Sequence, residues 1–140
     1  METNSCAVRI GRLMEIRLDR GFQSVADVEE LRGYITQAFA TVPANVSVVV
    51  AADWRRTRLM EGEAADAFGK MIGSFNDRIE RSAAVSAQTS PIAVLQFLRV
   101  IRESRHPNRK LFDNVGDLTA YLSELLTPEE KERLIVFLAR

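Results

Sequence analysis

The run Val46-Ser47-Val48-Val49-Val50-Ala51-Ala52, closed by Asp53-Trp54, constrains the fold more than any other stretch of the chain. Its consecutive valines are β-branched, so extended geometry costs them little rotamer freedom and their side chains pack well on a pleated surface. The run carries no charge and a single hydroxyl. A strand with one wet face alternates polar and apolar residues, whereas a strand covered on both faces reads as a continuous apolar run. The stretch is too short and too β-branched for a buried helix. It predicts a central strand with helices on both sides of its sheet.

The flanking sequence supplies the remaining elements. Val8, Ile10, Leu13, Met14, Ile16 and Leu18 alternate with Arg9, Arg12, Glu15 and Arg17. Period two with a basic outer face predicts two short strands joined near Gly11, or one long bulged strand. Residues 1–6 are polar and expected to fray. Ser24 and Asp27 mark a helix start, and Val25, Val28, Leu31, Ile35, Ala38 and Phe39 share one face of a helix that stops before Pro43. After the central run, a basic loop from Asp53 to Arg58 leads into a helix with Ala64, Phe68, Met71, Ile72 and Phe75 at helical spacing. Ser82 to Ala87 reads as a strand, Ser90-Pro91 as a helix start, and Arg109 to Phe112 as a short strand. Asn114 caps another helix, and Thr127-Pro128-Glu129-Glu130 opens a last one. Alternation of helix and strand after the opening strands implies a mixed, mainly parallel sheet with right-handed crossovers. The expected architecture is a single α/β domain over residues 1–140, its sheet flanked by helices.

Composition bounds the function classes. Apolar residues make up 46% and charged residues 27%, a globular balance. The 19 basic residues equal the 19 acidic ones, whereas a dedicated nucleic-acid binder carries a basic excess, so no nucleic-acid partner is expected. No stretch reaches the ~18 apolar residues of a membrane span, and the N-terminus lacks the basic start and apolar core of a signal peptide. Cys6 is the only cysteine, which excludes an intrachain disulfide. A cytoplasmic location is the simplest expectation.

Two stretches carry a family likeness. Ser82-Ala83-Ala84-Val85-Ser86 is a small-residue strand ahead of a long helix, and Lys110-Leu111-Phe112-Asp113-Asn114-Val115 through Ala120-Tyr121-Leu122 is a closing strand–helix pattern. With the element order, they make residues 7–126 resemble the SpoIIAA-like branch of the STAS superfamily, often grouped with CRAL-TRIO lipid-binding domains. Residues 127–140 stand as an additional C-terminal helix. The resemblance implies a small α/β interaction or regulatory module without chemistry of its own. STAS anti-sigma-factor antagonists carry an Asp-Ser pair, closely followed by glycine, after the central strand, and the serine is their phosphorylation switch. This chain has Asp53-Trp54-Arg55-Arg56-Thr57-Arg58 there, with no serine before Ser74. The resemblance therefore brings no phospho-switch, and none is assigned to Thr57.

Candidate sites follow from the expected topology. In a mostly parallel sheet the carboxyl ends of the strands share one rim, where ligands bind. That rim would gather Asp53, Trp54, Arg55, Arg56 and Arg58 with Gln88, Thr89 and Ser90, and Asp113-Asn114 beside them. Arginine forks and the N–H groups at the Ser90-Pro91 helix start could hold a phosphate or carboxylate; a solvated arginine loop is the plainer account. Trp54 either lids the core or anchors a partner, and the lid is the reading adopted. Phe68, Met71, Ile72, Phe75 and Phe97 line either a plain core or a pocket for a small lipophilic ligand. Five apolar residues in a row, 134–138, cover the whole circumference of the last helix, at ~100° per residue. Leu134, Ile135, Phe137 and Leu138 therefore form either a homodimer interface or a buried intrachain helix end. No catalytic set is visible. His106 stands alone in a turn without a Gly-x-Ser-x-Gly elbow, and one cysteine with one histidine cannot supply the usual zinc ligands, so no metal or cofactor is expected. Gly69 and Gly73, spaced as in GxxxG, read as close packing on the sheet. The function expected is a non-enzymatic module with an unknown protein partner; the alternative is a binder or sensor of a small lipophilic or anionic ligand near Asp53–Arg58.

Overall fold

A hairpin opens the fold. In the computed structural model, which describes residues 3–140, β1 (Asn4–Val8) pairs antiparallel with β2 (Leu13–Leu18). Gly11 turns the chain between them at φ +56°, a left-handed value that suits glycine. Two strands, not one bulged strand, therefore answer the period-two pattern. Asn4 to Cys6 lie inside β1 instead of fraying. The Asn4 carboxamide accepts from the backbone N–H groups of Arg20 and Gly21 and donates to the Gly21 carbonyl. Residues 1 and 2 lie outside the described part of the chain.

From β2 onward the chain alternates: α1 (Val25–Phe39), β3 (Val48–Trp54), α2 (Gly62–Gly73), β4 (Ile79–Ser86), α3 (Pro91–Glu103), β5 (Arg109–Phe112). The sheet order is β1-β2-β3-β4-β5, parallel from β2 to β5. Successive right-handed crossovers that always step the same way put their helices on one face. α1, α2 and α3 accordingly cover the face that carries Met14, Ile16, Val48, Val50, Ala52 and Trp54. The opposite face carries Leu13, Val49, Ala51, Ala83 and Val85, and is covered by α4 (Val115–Ser123) and α5 (Pro128–Leu138). Side chains alternate along each strand, so β3 splits cleanly between two cores. All of β3 is buried, as its apolar run requires.

The strand starts two residues later than the run suggests and extends through Asp53 and Trp54, which are therefore strand residues and not loop. β4 starts at Ile79, earlier than Ser82, and ends at Ser86. α5 opens with a complete capping box. Thr127 Oγ1 accepts from the Glu130 N–H, and the Glu130 carboxylate accepts from the Thr127 N–H. α2 and α3 pack at Gly69 and Gly73, whose missing Cβ atoms let the Val100 and Ser104 carbonyls approach. These glycines thus serve a helix–helix contact instead of packing on the sheet. Among the described residues no helix is long and apolar enough to cross a membrane.

Candidate functional site

Alternation along β2 and β3 places Glu15, Arg17 and Asp53 on the face that α5 covers. The basic outer face expected for β2 is therefore not wet: Glu15 is buried and Asp53 is 0% exposed. A carboxylate there needs cations, because an unpaired buried charge is prohibitively costly. Asp53 Oδ1 accepts from the Arg55 backbone N–H and from Arg55 Nε, each at 3.0 Å. Oδ2 accepts from Arg17 Nη1 at 2.9 Å and Arg55 Nη2 at 3.0 Å, and Arg140 Nε lies 3.1 Å from it as an ion pair. The same arginines bind the end of α5: Arg17 donates to the Phe137 carbonyl and Arg55 to the Leu138 carbonyl. Arg140 also forks onto Asp19, and Arg133 onto Glu15 at 2.6 and 2.7 Å.

Burial alone would raise the Asp53 carboxyl, but hydrogen bonds from Arg55, with the charges of Arg55 and Arg140, hold it below the ordinary range. The Asp19 carboxyl is also held low, chiefly by its hydrogen bonds from Arg140. Burial, followed by the charge of Arg140, lowers Arg17. Arg55 is thus committed to an internal carboxylate: where a bound anion was expected, the chain supplies Asp53 itself.

The loop after β3 alternates differently. Thr57 and Met60 are buried, whereas Arg56, Arg58 and Leu59 are exposed. Thr57 Oγ1 donates to the Leu18 carbonyl at 2.7 Å, and Gln88 Nε2 donates to the Thr57 carbonyl at 2.9 Å. The Gln96 carboxamide clasps Met60 through both backbone groups, at 2.8 and 2.9 Å. Anchors on β2, α3 and the β4–α3 connection thereby fix a loop that points two arginines and a leucine outward. Among the described residues, neither Arg56 nor Arg58 has a carboxylate oxygen within 4.0 Å. They border a polar groove of about 540 Å³ together with Arg20, Phe22, Gln23 and Gln88. Leu59 also lines a second groove of about 320 Å³ between α2 and α3, with Ala65, Ile92 and Leu95.

The expected site residues therefore divide. Arg56 and Arg58 reach the groove freely, Arg55 lines it while bound to Asp53, and Asp53 itself is sealed in. Trp54 packs at 5.5 Å on Phe68 and 5.6 Å on Phe97, inside the core. Thr89 and Ser90 are exposed but do not line this groove, and the Ser90 side chain makes no capping bond. On α5, Leu134, Phe137 and Leu138 are buried in the second core; of the four residues singled out there, Ile135 alone faces solvent, next to the exposed Val136. The cavity among Trp54, Phe68, Ile72 and Phe75 holds about 30 Å³, room for a single water and far below the ~300 Å³ or more of a ligand pocket. His106 Nδ1 accepts from the Asn108 N–H, so its Nε2 carries the proton that meets the Ile79 carbonyl at 2.6 Å. That histidine staples a turn. Arg109, buried between Asn76 and Ser104, has neutral partners, and burial lowers it to about 10.

Sequence reasoning missed Arg17, Asp19, Glu15, Arg133 and Arg140, and in the groove Arg20; Gln88, expected on the rim, does line the groove. One signal was present: a carboxylate closing a strand buried on both faces demands cations from its neighbours. Arg17 is the β2 residue in register with Asp53. Comparison of the chain with family models, with curated proteins and with solved structures finds no match.

Proposed function

We propose that this chain is a non-enzymatic interaction module of the STAS, SpoIIAA-like type. The sequential β2–β5 order with a leading antiparallel strand suits that resemblance. One observation carries the functional reading: a filled core beside an uncovered apolar strip. Leu59 is 55% exposed, Ile92 68% and Leu95 67%, with Leu98 flanking them. Scattered surface apolar residues are ordinary, whereas neighbouring ones on a groove mark a contact surface. A carrier of an internal lipophilic ligand is disfavoured by the small cavity.

The test is affinity capture with wild type and an Ile92→Ser/Leu95→Ser variant, followed by reconstitution of each captured protein from pure components. Both side chains are exposed, so the variant should keep its fold and stability. A reconstituted partner that the variant no longer binds is the expected result. Partners bound equally by both forms would refute the reading.

A second reading, a binder of small anions at the rim, is favoured by the unpaired Arg56 and Arg58. Isothermal titration with inorganic phosphate tests it, and equal heats from wild type and Arg56→Ala/Arg58→Ala would end it.

A further inference from the structure

We infer that the partner presents an acidic amphipathic segment, which lays apolar side chains on Leu59, Ile92 and Leu95 and carboxylates on Arg56 and Arg58. The inference rests on the interaction-module reading and adds the chemistry of what is bound. Leu59 lines both grooves and makes them one continuous surface. That surface is apolar at Leu59, Ile92 and Leu95, and beyond the β3–α2 loop it carries Arg56 and Arg58, the one carboxylate lining that end, Asp19, being held by Arg140. At its other end Arg99 is engaged by Asp66 and Glu103, so the free charge lies on the Arg56–Arg58 side.

The loop is built for presentation. Its buried residues, Thr57 and Met60, are held by side-chain hydrogen bonds from or to three other parts of the fold. A loop fixed before binding loses little conformational freedom when a partner arrives. Two guanidinium groups without carboxylates and one leucine are what such a loop displays. Arginine prefers planar carboxylate partners, which it grips through paired N–H groups.

Other occupants fit less well. Single-stranded nucleic acid needs exposed aromatic faces for stacking, and Phe22, Trp54, Phe68 and Phe97 are all buried. A second copy would offer Glu129 and Glu132 beside Ile135 and Val136 on α5. That helix lies across the sheet from α3, so copies joined this way would stack head to tail without closing.

The experiment uses the full chain and two synthetic helical peptides. Both carry leucine at i, i+3, i+4 and i+7; one has glutamate at the flanking positions and the other lysine. Fluorescence anisotropy should show binding of the glutamate peptide and at least about tenfold weaker binding of the lysine peptide. Arg56→Glu/Arg58→Glu should weaken the glutamate peptide by a similar factor, and Leu59→Ser/Ile92→Ser should weaken it too. Circular dichroism on each variant keeps a folding defect from passing as lost binding. Equal binding of the two peptides, or indifference to charge reversal, overturns the inference. So does inorganic phosphate binding to Arg56 and Arg58 with no peptide bound, or a sedimentation coefficient that climbs with protein concentration through α5. If a reconstituted partner depends on Ile92 and Leu95 but not on the arginines, the module reading stands and the acidic chemistry alone falls.

Discussion

Asp53→Asn removes one charge from a fully buried position without changing its shape. Asparagine keeps an oxygen for the two Arg55 bonds at Oδ1, but turns an NH2 toward the Arg17 and Arg55 donors that now bond Oδ2 and toward the Arg140 guanidinium paired with it. Each charge-assisted bond is worth about 1.5–3 kcal/mol. The loss is smaller than their sum, because Arg17, Arg55 and Arg140 are each about a fifth exposed and recover some hydration. A net cost of about 3–5 kcal/mol, the usual cost of breaking a buried pair, is expected. Urea unfolding at neutral pH measures it, with an unchanged m-value showing that the same surface unfolds. The pH dependence gives an independent reading. Arg55 holds the folded carboxyl below its unfolded value of about 3.9. The stabilisation is therefore whole above that value and is lost as pH falls through the lower folded one. The asparagine variant should lack this part of the acid slope. A variant within about 1 kcal/mol of wild type, or with the same acid slope, would refute the view that Asp53 organises the arginine cluster.

Gly11→Ala should lower stability by about 2 kcal/mol or more, since it combines a left-handed backbone with loss of a helix cap. Its new Cβ would meet the Glu130 carboxylate, which now accepts from the Arg12 N–H at 2.7 Å; an unchanged thermal midpoint would contradict this. Burial, helped by the charge of Glu15, pushes the Cys6 thiol up to about 12. The native protein should therefore resist an aromatic disulfide reagent at pH 8 that labels the urea-unfolded chain rapidly, and equal rates would show the thiol to be accessible.

Much of the fold was legible because it depends on short-range chemistry. The valine run, the proline stop at Pro43, and the caps at Asn114 and Thr127 each act within a few residues. β5 ran from Arg109 to Phe112 as its residues suggested. What escaped was decided by partners far along the chain. Glu15 and Arg17 looked like a wet face because nothing near them announces α5, whose Arg133 lies 118 residues beyond Glu15. The arginines of the loop were legible as a group but not in their division. Whether a guanidinium is spent or free depends on strand parity at Asp53, and the strand's end falls two residues later than its apolar run. Ile135 separated from Leu134, Phe137 and Leu138 only once the direction of α5 on the sheet was known.

The one-way winding of the sheet has a consequence for how the chain reaches this state. Every crossover helix from α1 to α3 lies on one side, so the side bearing Leu13, Val49, Ala51 and Val85 waits for α4 and α5, which follow all five strands in sequence. A sheet left half covered is a surface on which other chains can assemble. Here the waiting side carries Glu15, Arg17 and Asp53 among its apolar residues. In any state where the sheet stands without α4 and α5, those charges would be hydrated and would discourage a second sheet from stacking against them. Once α5 arrives, Arg133 and Arg140 take over from water. The groups that fasten the finished fold under its last helix are thus the same ones that would keep that side of the sheet wet whenever the helix is undocked.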